Sequence, residues 1–273
     1  EGPPSTRGAQ FSVQNRPFNV PFAPKGNQMV GEKDVLQQVR NKLAASKRSP
    51  ARRGVALQGI GGLGKTQTAV EYAHVYKDQY PGGVIWLFAD QDLDSQLTQL
   101  ATDARWLAPE SDAATKLDVA RQRLRSHAGC LFIFDNLEDP RAIEAYLSAA
   151  PRDADVLVTS QLEQPGFESV PLDLLPPLQS LTLLLQEADR LATTGPELEA
   201  ASKIVKELDG LPLALELAGA YLRQRPEISF QTYLALLLEE GLRPALPGKF
   251  LVSATAHEAD LFRTLRISER LLI

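Results

Sequence analysis

A glycine-rich stretch at residues 55–66, VALQGIGGLGKT, contains the residue types and the spacing needed to hold a phosphate group. Its first loop glycine is followed by four residues and then by Gly-Lys-Thr, the spacing of a phosphate-binding loop between a strand and a helix. Glycines let the backbone close on an anion, so that successive N–H groups point at phosphate oxygens. The lysine would supply a charge for the β and γ phosphates, and the threonine hydroxyl could bind Mg²⁺. The residues of this stretch predicted to bind a nucleotide are Gly59, Gly61, Gly62, Leu63, Gly64, Lys65, Thr66 and Gln67.

The sequence also indicates the two elements that must flank such a loop. Residues 55–57 form a short apolar run suited to a buried strand, and residues 66–76 place apolar side chains at helical spacing. A helix that begins at the loop would add its N-terminal dipole to anion binding. A glycine-rich turn that matches the spacing by chance is the alternative, and the flanking elements count against it.

A second candidate position for chemistry is Asp135, which ends the apolar run CLFIFD at 130–135. In a phosphate-loop protein, a carboxylate at such a strand end can hold the water shell of Mg²⁺ opposite Thr66. An aspartate there could also be a plain turn residue, but it follows the loop in a chain that alternates strands and helices. We predict Lys65, Asp135 and Asn136 as the catalytic residues, although Asn136 cannot act as a base. The predicted Mg²⁺ ligands are Thr66 and Asp135.

Polar residues at other predicted strand ends leave alternatives open. Glu138 and Asp139 could orient a water that attacks the γ phosphate, or they could cap the helix that follows. Ser160 and Gln161 end a further predicted strand, DVLVTS at 155–160, and could reach the γ phosphate or form a simple turn. We include Ser160 among the predicted nucleotide contacts.

Short apolar strands alternate with helical periodicity through the first part of the chain. This order indicates an α/β fold with a mainly parallel sheet and helices on both faces, as in P-loop nucleotide-binding proteins. Ligands of such sheets bind at the carboxyl ends of the strands, where Gly59, Asp135 and Ser160 fall. The predicted strands lie at 55–57, 84–88, 130–135, 155–160 and, more weakly, 168–172.

The pattern changes to helices alone after Pro176 and Pro177. Helical periodicity there covers 178–191, 197–208, 212–224 and 230–240. Phe11, Phe18 and Phe22 make the N-terminal arm more aromatic than a solvated linker, so part of it should pack on the sheet domain. The predicted domains are an extended arm (1–27), a nucleotide-binding domain (28–175), a small all-α domain (176–245), and a linker with the start of a further domain (246–273), in a chain expected to be part of a longer protein.

The amino-acid composition limits the kinds of partner expected for the chain. The net charge of −5 argues against a general nucleic-acid-binding surface. Cys130 is the only cysteine, so no disulfide can form within the chain, and a reducing cytoplasmic setting is expected. No apolar run approaches the roughly 20 residues needed to cross a bilayer, and we therefore expect no membrane partner.

Taken together, several stretches resemble the NB-ARC ATPases of the STAND class, the switch modules of plant disease-resistance proteins and apoptotic-protease activators. The resemblance implies that a nucleotide lies between the sheet domain and the helical domain, with Pro212, next to Leu213, against its base or ribose. It also implies that Val30 and Gly31 line the adenine through backbone contacts, and that the last segment begins a winged-helix domain. The stretches are GIGGLGKT at 59–66, CLFIFDN at 130–136, DVLVTS at 155–160, GLPLAL at 210–215 and the opening MVGEKDVL at 29–36.

Two positions depart from the pattern of that family. Glu32 stands where an arginine usually follows Val-Gly, and Gln161 stands where the strand usually ends in an arginine that reads the γ phosphate. Glutamine in place of arginine removes a charge-assisted phosphate contact. Nucleotide sensing could therefore be altered, or the γ phosphate could be read by residues outside this chain.

The resemblance implies a molecular switch that binds ADP or ATP with Mg²⁺. ADP would hold a resting state, and ATP would open the module and let it self-associate, with weak, slow hydrolysis and with sensor and effector domains elsewhere. One alternative is an AAA-type ATPase with steady turnover, which Asn136 and Gln161 disfavour; another is a scaffold that keeps its nucleotide permanently. Guanine specificity is disfavoured because the chain has no Asn-Lys-x-Asp run.

Overall fold

The structure is a computed structural model, and it describes residues 16–26, 33–47, 54–108, 110–126, 128–151, 153–191 and 195–242. The predictions for Phe11, Val30, Gly31 and Glu32 lie outside the described residues, as does the winged-helix segment. Among the described helices, none combines the length and the apolar character needed to cross a bilayer.

A five-stranded sheet with the order β2-β3-β4-β1-β5 forms the α/β part of the chain. Strand β2 pairs with β3, and β3 with β4, in parallel, so each connection must cross over the sheet. All residues of β3 and β4 are buried, as expected for central strands of a parallel sheet. The predicted parallel α/β sheet is confirmed. Its strands are β1 (Gly54–Gln58), β2 (Val84–Phe88), β3 (Leu131–Asp135), β4 (Asp155–Ser160) and β5 (Phe167–Pro171).

The helices agree closely with the predicted periodic stretches, particularly after Pro177. Asp139 caps a short 3-10 helix, Pro140–Ile143, as one of the alternatives from the sequence allowed; another short 3-10 helix covers Lys77–Gln79. The α-helices are α1 (Lys33–Ser46), α2 (Lys65–Tyr76), α3 (Leu93–Asp103), α4 (Ala113–Ser126), α5 (Glu144–Ala149), α6 (Pro177–Ala188), α7 (Gly195–Glu207), α8 (Pro212–Gln224) and α9 (Phe230–Leu242).

The described residues form two compact units, each with its own apolar core. Residues within 16–24, 39–56 and 69–169 make the first unit, and those within 25–38, 57–68 and 170–242 make the second. The predicted boundary was a single position after residue 175. In the two compact units the phosphate loop groups with the helices that follow the sheet, and the predicted domain boundaries stay predictions.

The core of the first unit lies between the central strands and two helices. Leu97 of α3 and Leu124 of α4 join Phe132 and Phe134 of β3 in one buried cluster. Burying a side chain of this size stabilises a fold by roughly 2 kcal/mol. These contacts hold β3 in place, and β3 carries Asp135 at its carboxyl end.

The N-terminal arm covers the exposed edge of β2 within the first unit. The N–H of Val84 donates to the carbonyl of Pro17 at 2.9 Å, and Phe18 forms a parallel bridge with Val84. The carboxamide of Asn19 then takes the place of a strand, because it accepts from the N–H of Trp86 at 2.8 Å and donates to its carbonyl at 2.9 Å. Phe22 packs edge-on against Trp86. Packing of part of the arm on the sheet is confirmed.

The core of the second unit joins the phosphate loop to the four last helices. Leu63 of the loop belongs to the same buried cluster as Leu184, Ile204, Leu215 and Tyr233, one residue from each of α6 to α9. The loop is therefore anchored by apolar packing as well as by its backbone.

Candidate nucleotide-binding site

The phosphate loop connects β1, which ends at Gln58, to α2, which begins at Lys65. The predicted strand and helix on either side of the loop are confirmed. Gly62 and Gly64 adopt φ values of +83° and +84°, which side-chain-bearing residues rarely adopt. A Cβ at Gly64 would meet no atom within 4 Å, so the backbone there faces open space.

Lys65 extends over its own loop. Its Nζ donates to the carbonyl oxygens of Gly59 and Ile60, at 2.7 Å each. These bonds hold the ammonium at the loop, where it can turn to a phosphate oxygen. Thr66 and Gln67 follow in the first turn of α2, whose leading N–H groups lack partners within the helix.

The start of α8 contacts the phosphate loop directly. Gly210, with φ +69°, ends the preceding turn, and Pro212 occupies the first helical position, where no N–H is needed. The N–H of Leu213 lies in the first turn of α8, where N–H groups have no acceptor within the helix. It donates to the carbonyl of Gly62 at 3.1 Å. This bond brings the predicted residues Pro212 and Leu213 to the predicted loop.

A cavity of about 410 Å³ opens beside this contact and lies wholly within the second unit. Its volume suits a small-molecule ligand. Four predicted residues line it, namely Leu63, Gly64, Gln67 and Pro212. The other lining residues are Lys25, Val35, Gln38, Thr68, Gln179, Leu183 and Glu216, together with the segment 171–176, which is apolar except for Asp173.

Lys25 and Glu216 are functional candidates that the sequence reading missed. The Nζ of Lys25 lies 2.8 Å from Oε1 of Glu216 and 3.9 Å from Oε1 of Glu187. No local motif marks these residues, because the arm, α6 and α8 meet only through tertiary packing. Charged residues flanking a predicted ligand site would have been the available signal.

Asp135, in the first unit, is held by a chain of side-chain hydrogen bonds. Its carboxylate is 4% exposed and accepts from Oγ1 of Thr159 at 2.6 Å. The same Thr159 oxygen accepts from the N–H of Asn136 at 2.8 Å. Asn136 has φ +61°, a conformation that asparagine tolerates, and its Nδ2 donates to Oδ2 of Asp90 at 2.8 Å. Thr159 and Asp90 were not predicted.

Ser160 has the geometry of a strand-end turn. It is 1% exposed, and its Oγ accepts from the N–H of Leu162 at 3.0 Å and from Nε2 of Gln164 at 2.7 Å. Gln161 is exposed. These hydrogen bonds form a strand-end turn, and the nucleotide contact of Ser160 stays a prediction.

Asp139 has the geometry of a helix cap. Its carboxylate accepts from the N–H of Arg141 at 2.9 Å, and the Arg141 side chain donates to it as well. These hydrogen bonds from Arg141 lower the pKa of the Asp139 carboxyl below its ordinary value. Glu138 is exposed. The capping alternative therefore describes Asp139.

A nucleotide fits the residues present at the phosphate loop. Open space in front of Gly64 gives a cradle that a Cβ would fill, and the lysine and the start of α2 offer donors at the same loop. The adjoining cavity has mostly apolar walls with a few polar groups, the lining expected for a base and ribose.

Solved structures define the class of the domain. The chain is similar to the Walker-type ATPase PABY2304 of Pyrococcus abyssi, with a TM-score of 0.56 and 13% identity over 92% of this chain and 80% of that one. It is also similar to Cdc6p of Pyrobaculum aerophilum, with a TM-score of 0.52 and 16% identity over 76% and 65% of the two chains. At these identities the likeness concerns the fold alone. The fold and the phosphate loop give this chain the P-loop NTPase fold.

Curated proteins were compared with the chain by sequence. No protein-family model matches the chain. It is 26% identical over 252 residues to a nucleotide-binding leucine-rich repeat (NLR)-like protein of Hyaloscypha variabilis, covering 82% of this chain and 25% of that protein. It is 31% identical over 200 residues to the regulatory protein AfsR of Streptomyces griseus, covering 69% and 20%. It is 27% identical over 213 residues to human apoptotic protease-activating factor 1, covering 72% and 17%.

The chain is similar to NB-ARC proteins, the class that its motifs resemble. It spans a quarter or less of the length of these curated relatives.

Proposed function

We propose that the chain is an ADP/ATP switch module, whose ADP-bound form is the resting state and whose ATP-bound form opens and self-associates. The observation that carries the proposal is the contact of α8 with the phosphate loop beside the cavity, through Leu213 and Gly62. A ligand in that cavity would touch the loop, α1 and α8 at once. It would therefore favour one arrangement of these elements over another.

Each residue has a role in this proposal. The loop amides from Gly59 to Gly64 and the Lys65 ammonium bind the phosphates, and Pro212 and Leu213 cover the base or ribose. Thr66 and Asp135 hold Mg²⁺, which neutralises charge on the phosphates. Val30 and Gly31, outside the described residues, keep their predicted place at the adenine, and Ser160 stays a predicted contact.

The energy needed for switching sets a limit on the mechanism. Moving a two-state population from 1:99 to 99:1 requires about 5.5 kcal/mol of differential binding. A nucleotide that touched the phosphate loop alone would have no reason to distinguish the two states. Contacts to both the loop and α8 give the ligand a means to do so.

Hydrolysis in this proposal is slow. Asn136 follows Asp135 where a base would be needed, and Asp139 is engaged by Arg141. A switch tolerates slow hydrolysis, whereas a motor requires steady turnover. We further propose a cytoplasmic setting, with sensor and effector segments outside the chain.

The test is to denature the purified protein and identify any released nucleotide by chromatography. We expect stoichiometric ADP from the wild type and none from Lys65→Ala. Lys203→Ala is the matched control, because Lys203 is an exposed lysine of α7 paired with Glu199 at 2.7 Å. An empty wild-type protein that also fails to take up labelled ADP or ATP would overturn the proposal.

Labelled ATP separates the switch from its alternatives. Exchange without continuous phosphate release supports the switch. Continuous release indicates an AAA-type ATPase with steady turnover, and bound nucleotide that never exchanges indicates a scaffold. Either of these last two results would contradict the proposed switching.

A further inference from the structure

The N-terminal arm contributes a charged side chain to the nucleotide cavity. Lys25 lines the cavity together with Glu216, and their Nζ and Oε1 atoms are 2.8 Å apart. The two side chains are only 30% and 34% exposed, so their attraction is less screened than that of a surface pair. Glu187 lies further away, 3.9 Å from Lys25, and Arg223 lies 3.9 Å from Glu187.

The charges around the cavity indicate what the ion pair of Lys25 and Glu216 does there. Among the described residues that line it, Lys25 is the cation, while Asp173 and Glu216 are the acids. A nucleotide brings several negative charges to such a site. Without Lys25, the carboxylate of Glu216 would face the nucleotide unneutralised, whereas Glu187 would still have Arg223 nearby.

The arm that leads into Lys25 is held to β2 within the first unit. Pro17 and Asn19 are hydrogen-bonded to β2, and Phe22 packs on Trp86 and Phe88. Only Ala23 and Pro24 lie between Phe22 and Lys25, a tether that spans at most about 10 Å. A change that detached the arm from β2 would therefore release the restraint on Lys25.

We infer that Lys25 is a positioning residue that holds the nucleotide cavity closed through Glu216, so that docking of the N-terminal arm controls the rate of nucleotide release. The inference rests on the proposed nucleotide function and names a regulation of the same site. Displacement of the arm from β2 would then speed exchange.

Dissociation of a fluorescent ADP analogue, chased by excess ADP in a stopped-flow instrument, measures this effect. We expect Lys25→Ala to release the analogue about 3- to 5-fold faster than the wild type, the range for a partly exposed ion pair. Lys25→Arg should keep the wild-type rate, and the exchanged pair Lys25→Glu with Glu216→Lys should restore it. The difference should shrink in about 0.5 M salt, which a purely structural defect would not show.

Matched variants test the specificity of the pair and its link to the arm. The control exchange is Lys203→Glu with Glu199→Lys, a pair 2.7 Å apart on α7 that does not line the cavity, and it should leave release unchanged. Asn19→Ala, which removes both hydrogen bonds to Trp86, should speed release about 2-fold in the wild type. It should add nothing in the Lys25→Ala background, because the restraint it loosens is already lost.

Two kinds of failure can be told apart. If the wild type binds no analogue, the proposed function fails and this inference with it. If the wild type binds and Lys65→Ala does not, but Lys25→Ala releases at the wild-type rate, then only the inference is overturned. Additive effects of Asn19→Ala and Lys25→Ala would overturn the link to the arm.

Discussion

The phosphate loop and the polar clusters of the first unit hold their chemistry in place by different means. Backbone hydrogen bonds hold the loop: the N–H of Leu172 donates to Gln58 at 2.7 Å, and that of Leu213 donates to Gly62 at 3.1 Å. The glycines supply the required φ values, and even the Lys65 side chain bonds to loop carbonyls.

Side chains hold the two polar clusters of the first unit. The strand-end cluster, at the carboxyl ends of the strands, comprises Asp90, Asp135, Asn136 and Thr159. The tyrosine cluster, at the amino ends, comprises Lys47, Tyr72, Tyr80 and Asp155. In it the hydroxyls of Tyr72 and Tyr80 are 3.0 Å apart, and Nζ of Lys47 is 3.1 Å from Oδ1 of Asp155.

This difference predicts that the loop and the clusters respond to different kinds of substitution. A site held by backbone bonds should lose ligand affinity when a Cβ is added to its loop, and it should respond weakly to the loss of a hydroxyl. Clusters held by buried side chains should respond to titration and to the loss of one hydrogen-bonding group, because a partner left unsatisfied in the interior is costly. Three measurements test this difference between the loop and the clusters.

Alkaline pH should have the largest effect, and it acts on the tyrosine cluster. Burial raises the pKa of Tyr72 from 10.0 to about 12, and burial also raises that of Tyr80. Because the folded pKa lies above the unfolded value, the stabilisation is complete below pH 10.0 and is lost as pH rises through about 12. We expect the free energy of unfolding to fall by about 3 kcal/mol over that interval, as two pKa units of Tyr72 imply.

Urea unfolding at a series of pH values, followed by circular dichroism, measures this loss. The Cys130 thiol, whose pKa burial raises from 9.0 to about 12, adds to it from the lower end of the interval. Tyr72→Phe is the control, since it lacks one titrating phenol and should lose less stability on raising the pH. A free energy of unfolding that stayed level from pH 9 to 12 would contradict the assignment.

Loss of the Thr159 hydroxyl should have the next largest effect, and it acts on the strand-end cluster. Thr159→Val keeps the shape of the side chain but removes the oxygen that bridges Asp135 and the N–H of Asn136. An unsatisfied carboxylate oxygen and amide should then cost about 2 kcal/mol of stability, measured by urea unfolding. Mg²⁺-dependent nucleotide affinity should fall too, because Asp135 would lose its orienting donor.

Thr182→Val provides the matched control for that substitution. Thr182 is exposed on α6, and its hydroxyl donates only to the carbonyl of Leu178, at 2.9 Å. We expect a change of less than about 0.5 kcal/mol. Equal losses in the two variants would mean that the strand-end cluster has no special dependence on the buried hydroxyl.

The same difference explains what could be predicted from the sequence. The phosphate loop depends on glycines within a few positions of one another, so its spacing identified both the loop and the flanking strand and helix. The helices after Pro177 were predicted nearly to their ends, because their apolar faces repeat at helical spacing and Gly and Pro mark their limits.

The side-chain clusters could not be predicted in this way. Asp90 and Asn136 meet because β2 and β3 pair in parallel with Phe88 opposite Asp135, a register that no local pattern specifies. Thr159 reaches Asp135 across 24 positions of sequence, and Lys25 reaches Glu216 through tertiary packing. The helix that begins at Pro140 could be anticipated from the sequence, because an aspartate before a proline is a common helix start.

The smallest effect on stability should come from an added Cβ in the phosphate loop, where two glycines form a matched pair. Gly62 and Gly64 have nearly the same φ, +83° and +84°, so alanine at either should cost about 1 kcal/mol of backbone strain. Their surroundings differ. A Cβ at Gly62 would lie 3.3 Å from Leu211 Cδ1 and from Leu213 Cβ, whereas at Gly64 it would meet nothing within 4 Å.

Stability and nucleotide affinity should therefore separate in the two variants. Gly62→Ala should be the less stable of the pair in urea unfolding, because the start of α8 must shift away from the loop. Gly64→Ala should bind a fluorescent ADP analogue the more weakly, by about tenfold or more, because its methyl group would occupy the space that faces the phosphates. Gly195→Ala, where φ is not positive and the space is open, should change neither quantity. If Gly64→Ala bound nucleotide as tightly as the wild type, the open space before the loop could not be the place where the phosphates bind. The difference between the backbone-held loop and the side-chain-held clusters would then have no consequence for nucleotide binding.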